Sequence, residues 1–191
     1  MGSQIGTWSL GAPTDWGSWV PHRATERLDD VASDLADGEE ARDHVRAGMV
    51  AFDEGLPNGP VLTAAVWVPD RASGEVRGLM MAEILIDVLP GPDPVGAFLT
   101  LVSRPPRERG IRTLDYSVAR GELPAGPAAI QARTWAEKSR HLVASAVVWT
   151  IVPPGASEAI RIELTTHVPS MYDALVDAGI QIAHTLKVDL T

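Results

Sequence analysis

The sequence predicts an α+β domain: a curved antiparallel sheet of about six or seven strands, with an N-terminal helix pair, a short middle helix and a C-terminal helix packed on it. Three observations lead there. Apolar spacing is helical within residues 23–56, shifts to β-branched runs and period-two alternation over 60–168, and is helical again over 170–188. The strand-like runs follow one another without the helix between every pair that a parallel sheet requires. With 191 residues and 45% hydrophobic side chains, residues 1–191 have the length and composition of one domain with its own core.

Residues 1–22 read as an extended lead-in in which Trp8, Trp16 and Trp19 lie among Gly, Pro and Ser, their indoles either docking on the domain or meeting a partner. Leu28, Val31, Ala32 and Leu35 then keep the i, i+3, i+4, i+7 spacing of a first helix. Asp37 with Glu40 three residues on forms the capping-box pattern of a second helix, whose stripe is Ala41, Val45, Met49 and Phe52 and which Leu56-Pro57-Asn58-Gly59-Pro60 ends. The runs Val61 to Val68 and Val76 to Val88 flank Pro69 to Gly74, whose turn chemistry predicts a hairpin.

Asp93 before Pro94 marks the start of the short helix, with Val95, Phe98, Leu99 and Val102 on one face. A meander follows. Its first strand sets Leu114, Tyr116 and Val118 inward, and its later strands are Ala128 to Glu137, Leu142 to Val152 and the run around Ile160, Ile162 and Leu164. Ser170 and Asp173 cap the last helix, and Leu175, Gly179, Ile182, Ala183 and Leu186 make its buried stripe.

Three stretches resemble a set of uncharacterised actinobacterial proteins: Ala65-Val66-Trp67-Val68-Pro69-Asp70 with Gly74-Glu75, Leu123-Pro124-Ala125-Gly126-Pro127-Ala128, and the strand Ile160 to Thr166 leading to Ile182-Ala183-His184-Thr185-Leu186-Lys187-Val188. The strand-to-helix ending resembles the PsbP-like and LpqN-like superfamily. That resemblance implies an antiparallel sheet between helices and does not fix a chemistry. The element order is also similar to the START-like helix-grip fold, which implies an apolar cavity between sheet and closing helix.

Catalytic signatures are missing from the sequence. There is no Gly-x-Ser-x-Gly elbow and no phosphate-cradling Gly-rich loop ending in Lys-Ser or Lys-Thr. Cysteine is absent and the five histidines lack ligand spacing, so neither a metal nor another cofactor is expected. Glu163, His167 and His184 are candidates for one polar cluster, and Glu83 with Asp87 share a strand face as either a solvated pair or an acid–base pair.

Arg104, Arg107, Arg109 and Arg112 form the one local basic run, suited either to a phosphate or acidic partner or to solvation opposite the acidic segment 26–54. The net charge of −9 disfavours nucleic acid and anionic membranes as partners. The first eighteen residues lack a secretory signal pattern and no run is long enough to span a membrane, so a cytoplasmic location is expected. These features point to a non-enzymatic protein-interaction or assembly module, with a protein partner or a second copy contacting Trp8, Trp16, Trp19, Arg104, Arg107 and Arg109. The alternative is a protein that binds a small apolar ligand in a helix-grip cavity.

Overall fold

Strand alternation and helical stripes assemble as an open, curved seven-stranded antiparallel sheet with helices on both faces. The computed structural model describes residues 2–86 and 91–191; Asp87 and the last part of the predicted Val76 to Val88 run lie outside them. In chain order the elements are β1 (Ile5–Ser9), β2 (Trp16–Trp19), α1 (Leu28–Leu35), α2 (Glu39–Gly55), β3 (Val61–Trp67), β4 (Gly78–Leu85), α3 (Pro94–Leu101), β5 (Ile111–Leu123), β6 (Gly126–Glu137), β7 (Leu142–Ile151), β8 (Ala159–Thr166), α4 (Tyr172–Thr185) and β9 (Lys187–Leu190). The main sheet runs β2-β3-β4-β8-β7-β6-β5, so the predicted hairpin and meander are both present. No described helix is long and apolar enough to cross a membrane.

Because successive side chains of a strand point to opposite faces, the two faces bury different residues. On one, Met80, Ala82, Trp149, Ile160, Ile162 and Leu164 meet Leu175, Ile182, Ala183 and Leu186 at the closing helix. The space a helix-grip cavity would occupy there is filled by Trp149, which is 2% exposed, and by Leu175 and Ile182, which are fully buried. On the other, α1 and α2 cover Ala64, Val66, Leu79 and Met81 at the β3–β4 end. There α3 covers Ala129, Val152 and Ala159 with Val95, Phe98 and Leu99. Between these two helical caps no helix lies on the second face around β6, β7 and β8, and the segment between α3 and β5 leans over it.

Several sequence expectations need correcting. The closing helix stops at Thr185, and residues 187–190 form β9, which pairs with β1 and ties the lead-in to the C-terminal segment. Asp37 does not cap α2: Gly38 is its N-cap, and Asp37 pairs with Arg71 at 3.3 Å. Nor does Ser170 cap α4, because a 3-10 turn over Pro169–Met171 leads into the helix instead. Leu114 is exposed because a bulge between Thr113 and Asp115 resets the alternation before Tyr116.

The cap of α3 is as expected: Asp93 accepts from the Gly96 N–H at 3.0 Å and pairs with Arg120 at 2.9 Å. The Gly96 N–H, and after it Arg120, hold the Asp93 carboxyl below the ordinary aspartate range. A depressed folded-state pKa means that the cap's contribution is complete above the unfolded value of about 3.9 and is lost as pH falls through the lower folded value. The Gly96 amide proton resonance should therefore titrate with a midpoint below the ordinary aspartate value, and Asp93→Asn should abolish the titration. A midpoint at or above the ordinary value would contradict the cap.

Candidate functional site

The helix-free part of the second face forms a cleft of about 240 Å³. Its floor comes from alternate residues of neighbouring strands: Gln131, Arg133 and Trp135 of β6, Ala146 and Val148 of β7, and Arg161 and Glu163 of β8. Register places them side by side, since Tyr116 opposes Arg133, Arg133 opposes Ala146, and Val148 opposes Glu163. The wall is the segment that leaves α3 for β5, with Pro106, Glu108 and Ile111 turned inward.

Two arginines dominate the floor. Arg161 donates to Glu83 at 2.7 Å and also to Glu163, so its charge is balanced within the sheet. Arg133 sits with its guanidinium carbon over the Trp135 ring, 5.0 Å from the centroid, a cation–π arrangement. Its Nη1 donates to Glu108 at 2.9 Å, while Nε and Nη2 are buried and find no partner among the described residues. The Tyr116 hydroxyl donates to the Val102 carbonyl oxygen, and burial pushes its pKa up although the Arg133 charge opposes this.

Arg104, Arg107 and Arg109 lie on the same wall segment, exposed and in no ion pair with a described carboxylate, as does Arg112 at the start of β5. The acidic helices do not neutralise them. Those helices have arginines of their own: Arg46 binds Asp29, Glu39 and Asp43, and Arg27 pairs with Asp30 at 3.4 Å.

The lead-in tryptophans pack into the domain, Trp8 only partly buried. Trp19 is 3% exposed and donates to Asp53 at 2.7 Å, Trp16 stacks on Trp67 with centroids 6.0 Å apart, and Trp8 packs against the α4 core. The polar cluster does not form either. Glu163 bonds Arg161 on the cleft face, whereas His184 lies on α4, across the sheet, with Nδ1 2.8 Å from the Ile180 carbonyl. His167 directly follows β8, where burial and then the Arg140 charge push its pKa down. Among the described residues, no group of three or more His, Cys, Asp or Glu side chains is placed to hold a metal ion.

A larger groove of about 570 Å³ runs between α1 and β2, but its arginines, Arg27 and Arg71, both have acidic partners. Sequence reasoning found the wall arginines by their proximity in the chain and missed Arg133 and Trp135. The i, i+2 placement of Gln131, Arg133 and Trp135 on one strand face was the available signal.

Fold and cleft together define an α+β sheet domain with helices on both faces and a cationic opening between them. No protein-family model and no curated protein matches the chain. Among solved structures it is similar to that of LpqN, involved in cell envelope biogenesis of Mycobacterium tuberculosis, at a TM-score of 0.53 and 12% identity, covering 95% of this chain and 83% of that one. Weaker superpositions join it to a protein of Bacteroides thetaiotaomicron (TM-score 0.49, 12% identity, 98% of this chain and 48% of that one) and to the Saccharomyces cerevisiae Ran-binding protein Mog1p (0.41, 11%, 70% and 80%). The resemblance to LpqN-like proteins thus holds at the level of fold.

Proposed function

We propose that the chain is a non-enzymatic protein-interaction module that holds an acidic segment of a partner protein at the cleft. The observation that carries this reading is the wall itself: Arg104, Arg107 and Arg109 stand unpaired with any described carboxylate beside an apolar-and-cationic cleft, in a protein of net charge −9. Elsewhere on the surface, arginines such as Arg23, Arg42 and Arg46 are matched by neighbouring acids. Unmatched like charges repel one another and are a cost to the free protein, which an acidic partner removes. The overall negative field favours a short acidic peptide over a long nucleic-acid backbone, since only charges within about 8 Å interact strongly at physiological salt.

The test is a titration of fluorescein-labelled hexaglutamate into the full chain across a salt series. Binding should weaken steeply with salt, and the triple change Arg104→Glu, Arg107→Glu, Arg109→Glu should weaken it at least tenfold without altering the thermal midpoint. Equal binding by the triple variant would overturn the reading.

A further inference from the structure

We infer that the unpaired edge of Arg133 is a seat for one carboxylate of the acidic partner segment, and that Glu108 of the same chain keeps the seat closed until that segment arrives. The inference rests on the reading that the cleft receives an acidic segment, and it names the atom pair that recognises it.

The covalent geometry of arginine supplies the first step. Nε–H and one N–H of Nη2 point the same way along a single edge of the planar guanidinium, a fork that matches both oxygens of a carboxylate. In Arg133 these two nitrogens are the ones left buried and unpaired. Buried donors without partners are rare in folded proteins, and charged ones are the most costly to leave unmade. The Trp135 ring lies on one side of the guanidinium and Glu108 holds its Nη1, so the group has two contacts that restrain it before any ligand binds.

The surroundings select the ligand. At about 240 Å³ the cleft is below the usual size of a site for a drug-sized molecule, and it suits a side chain carried by a larger partner. Val148, Ala146 and Ile111 supply an apolar lining for the methylenes of an acidic side chain. The acid already on the floor, Glu163, is bound by Arg161 and does not satisfy the fork. The flanking Arg104, Arg107 and Arg109 are then within the same wall to meet neighbouring acids of the segment.

Closure follows from burial. Nε and Nη2 are shut off from water, so the seat opens only when a boundary moves. The floor is a hydrogen-bonded sheet, whereas the wall is joined to Arg133 through Glu108 in a pair that reaches the surface at the Glu108 end: the Arg133 side chain is 17% exposed and that of Glu108 47%. Water reaches the pair from the Glu108 side, so an incoming carboxylate meets Glu108 first. An incoming carboxylate that takes the Nε–Nη2 edge competes with Glu108 for the same charge, while the ends of the wall stay tied by the Tyr116–Val102 and Lys138–Gly110 hydrogen bonds.

The experiment uses the full chain, fluorescein-labelled hexaglutamate and glutarate, with three variants: Arg133→Lys, Glu108→Gln, and the loop triple Arg104→Ala, Arg107→Ala, Arg109→Ala. Arg133→Lys keeps the charge and removes the fork, so hexaglutamate affinity should fall at least tenfold. Glu108→Gln removes the internal competitor, so affinity should rise several-fold, a gain that a purely structural ion pair would not give. In the wild type, the Arg133 Nε–Hε NMR resonance should move on titration with glutarate. If the loop triple loses hexaglutamate binding while Arg133→Lys and Glu108→Gln bind like wild type, the acidic-partner reading stands and the seat is wrong. A static Nε–Hε resonance overturns the seat even if a variant fails to fold. Duplex DNA that displaces hexaglutamate at equal phosphate and carboxylate concentration would show a nonspecific cationic surface and overturn it too. Should hexaglutamate fail to bind while glutarate still moves the resonance, the seat is upheld and the acidic-segment reading falls.

Discussion

Replacing Trp149 by alanine is expected to cost about 3 to 5 kcal/mol of stability, the range for removing a large aromatic from a core that cannot fully collapse. Trp149 lies on β7, inside the sheet, with Ile130 and Ile162 opposite it on the neighbouring strands. Its ring fills the space under α4 at Gly179, where an added Cβ would lie 2.7 Å from Trp149 Cζ3 and 3.1 Å from Leu164 Cδ2. A helical glycine is worse than alanine by about 1 kcal/mol. Its presence at 179 is explained by the indole. Gly179→Ala should therefore destabilise the wild type by about 1 to 3 kcal/mol through overpacking, despite the better helix propensity. In a Trp149→Leu background the same change should become neutral or favourable. Urea denaturation of the four proteins closes the cycle, and a coupling below about 0.5 kcal/mol would show that the two positions do not share this space.

The parts of the fold legible in the sequence are those set by local spacing. The stripe of α1, the Asp93 cap and the alternation of β6 to β8 each depend on residues within a few positions of one another. What was missed depends on partners remote in the chain. Lys187–Leu190 has no strand-defining pattern of its own in four residues and becomes β9 because Ile5–Ser9 lies alongside it. Asp37 has the sequence of a cap, yet Arg71 from the β3–β4 connection, a partner that spacing cannot reveal, claims its carboxylate. The candidate site divides in the same way. Four arginines close together are visible in any reading, but whether they have acidic partners depends on which end of the sheet the acidic helices cover. Those helices cover the β3–β4 end, while the arginine wall stands beside β5 and β6. Arg133 and Trp135 share a strand face, but Glu108 meets Arg133 only through the path of the wall, so that pairing was not legible.

Gly74→Ala is expected to cost about 2 to 5 kcal/mol, the sum of roughly 1 to 2 for a left-handed backbone and 1 to 3 for overpacking. Gly74 has φ +64° at the end of the β3–β4 connection, where its N–H donates to the Asp70 carbonyl at 3.0 Å. A Cβ there would lie 2.5 Å from the carbonyl carbon of Ala41 and 2.7 Å from its Cα, and would also strike its carbonyl oxygen. These are backbone atoms of the first turn of α2, so no rotamer change relieves the contact; the helix must shift away from the hairpin. That movement would pull on His44, whose Nδ1 lies 2.9 Å from the Ser73 carbonyl, and on the contact of Val76 with Gly48. Gly38 provides the control, since it has φ +84° with no atom within 4 Å of an added Cβ. Gly38→Ala should incur a backbone cost alone, about 1 to 3 kcal/mol, because φ +84° with ψ 160° lies in a region that is essentially glycine's own. Chemical denaturation should rank the two variants in that order, and equal losses would mean that α2 gives way without cost. Because α2 and the cleft lie at different ends of the sheet, hexaglutamate affinity of the folded Gly74→Ala protein should match wild type.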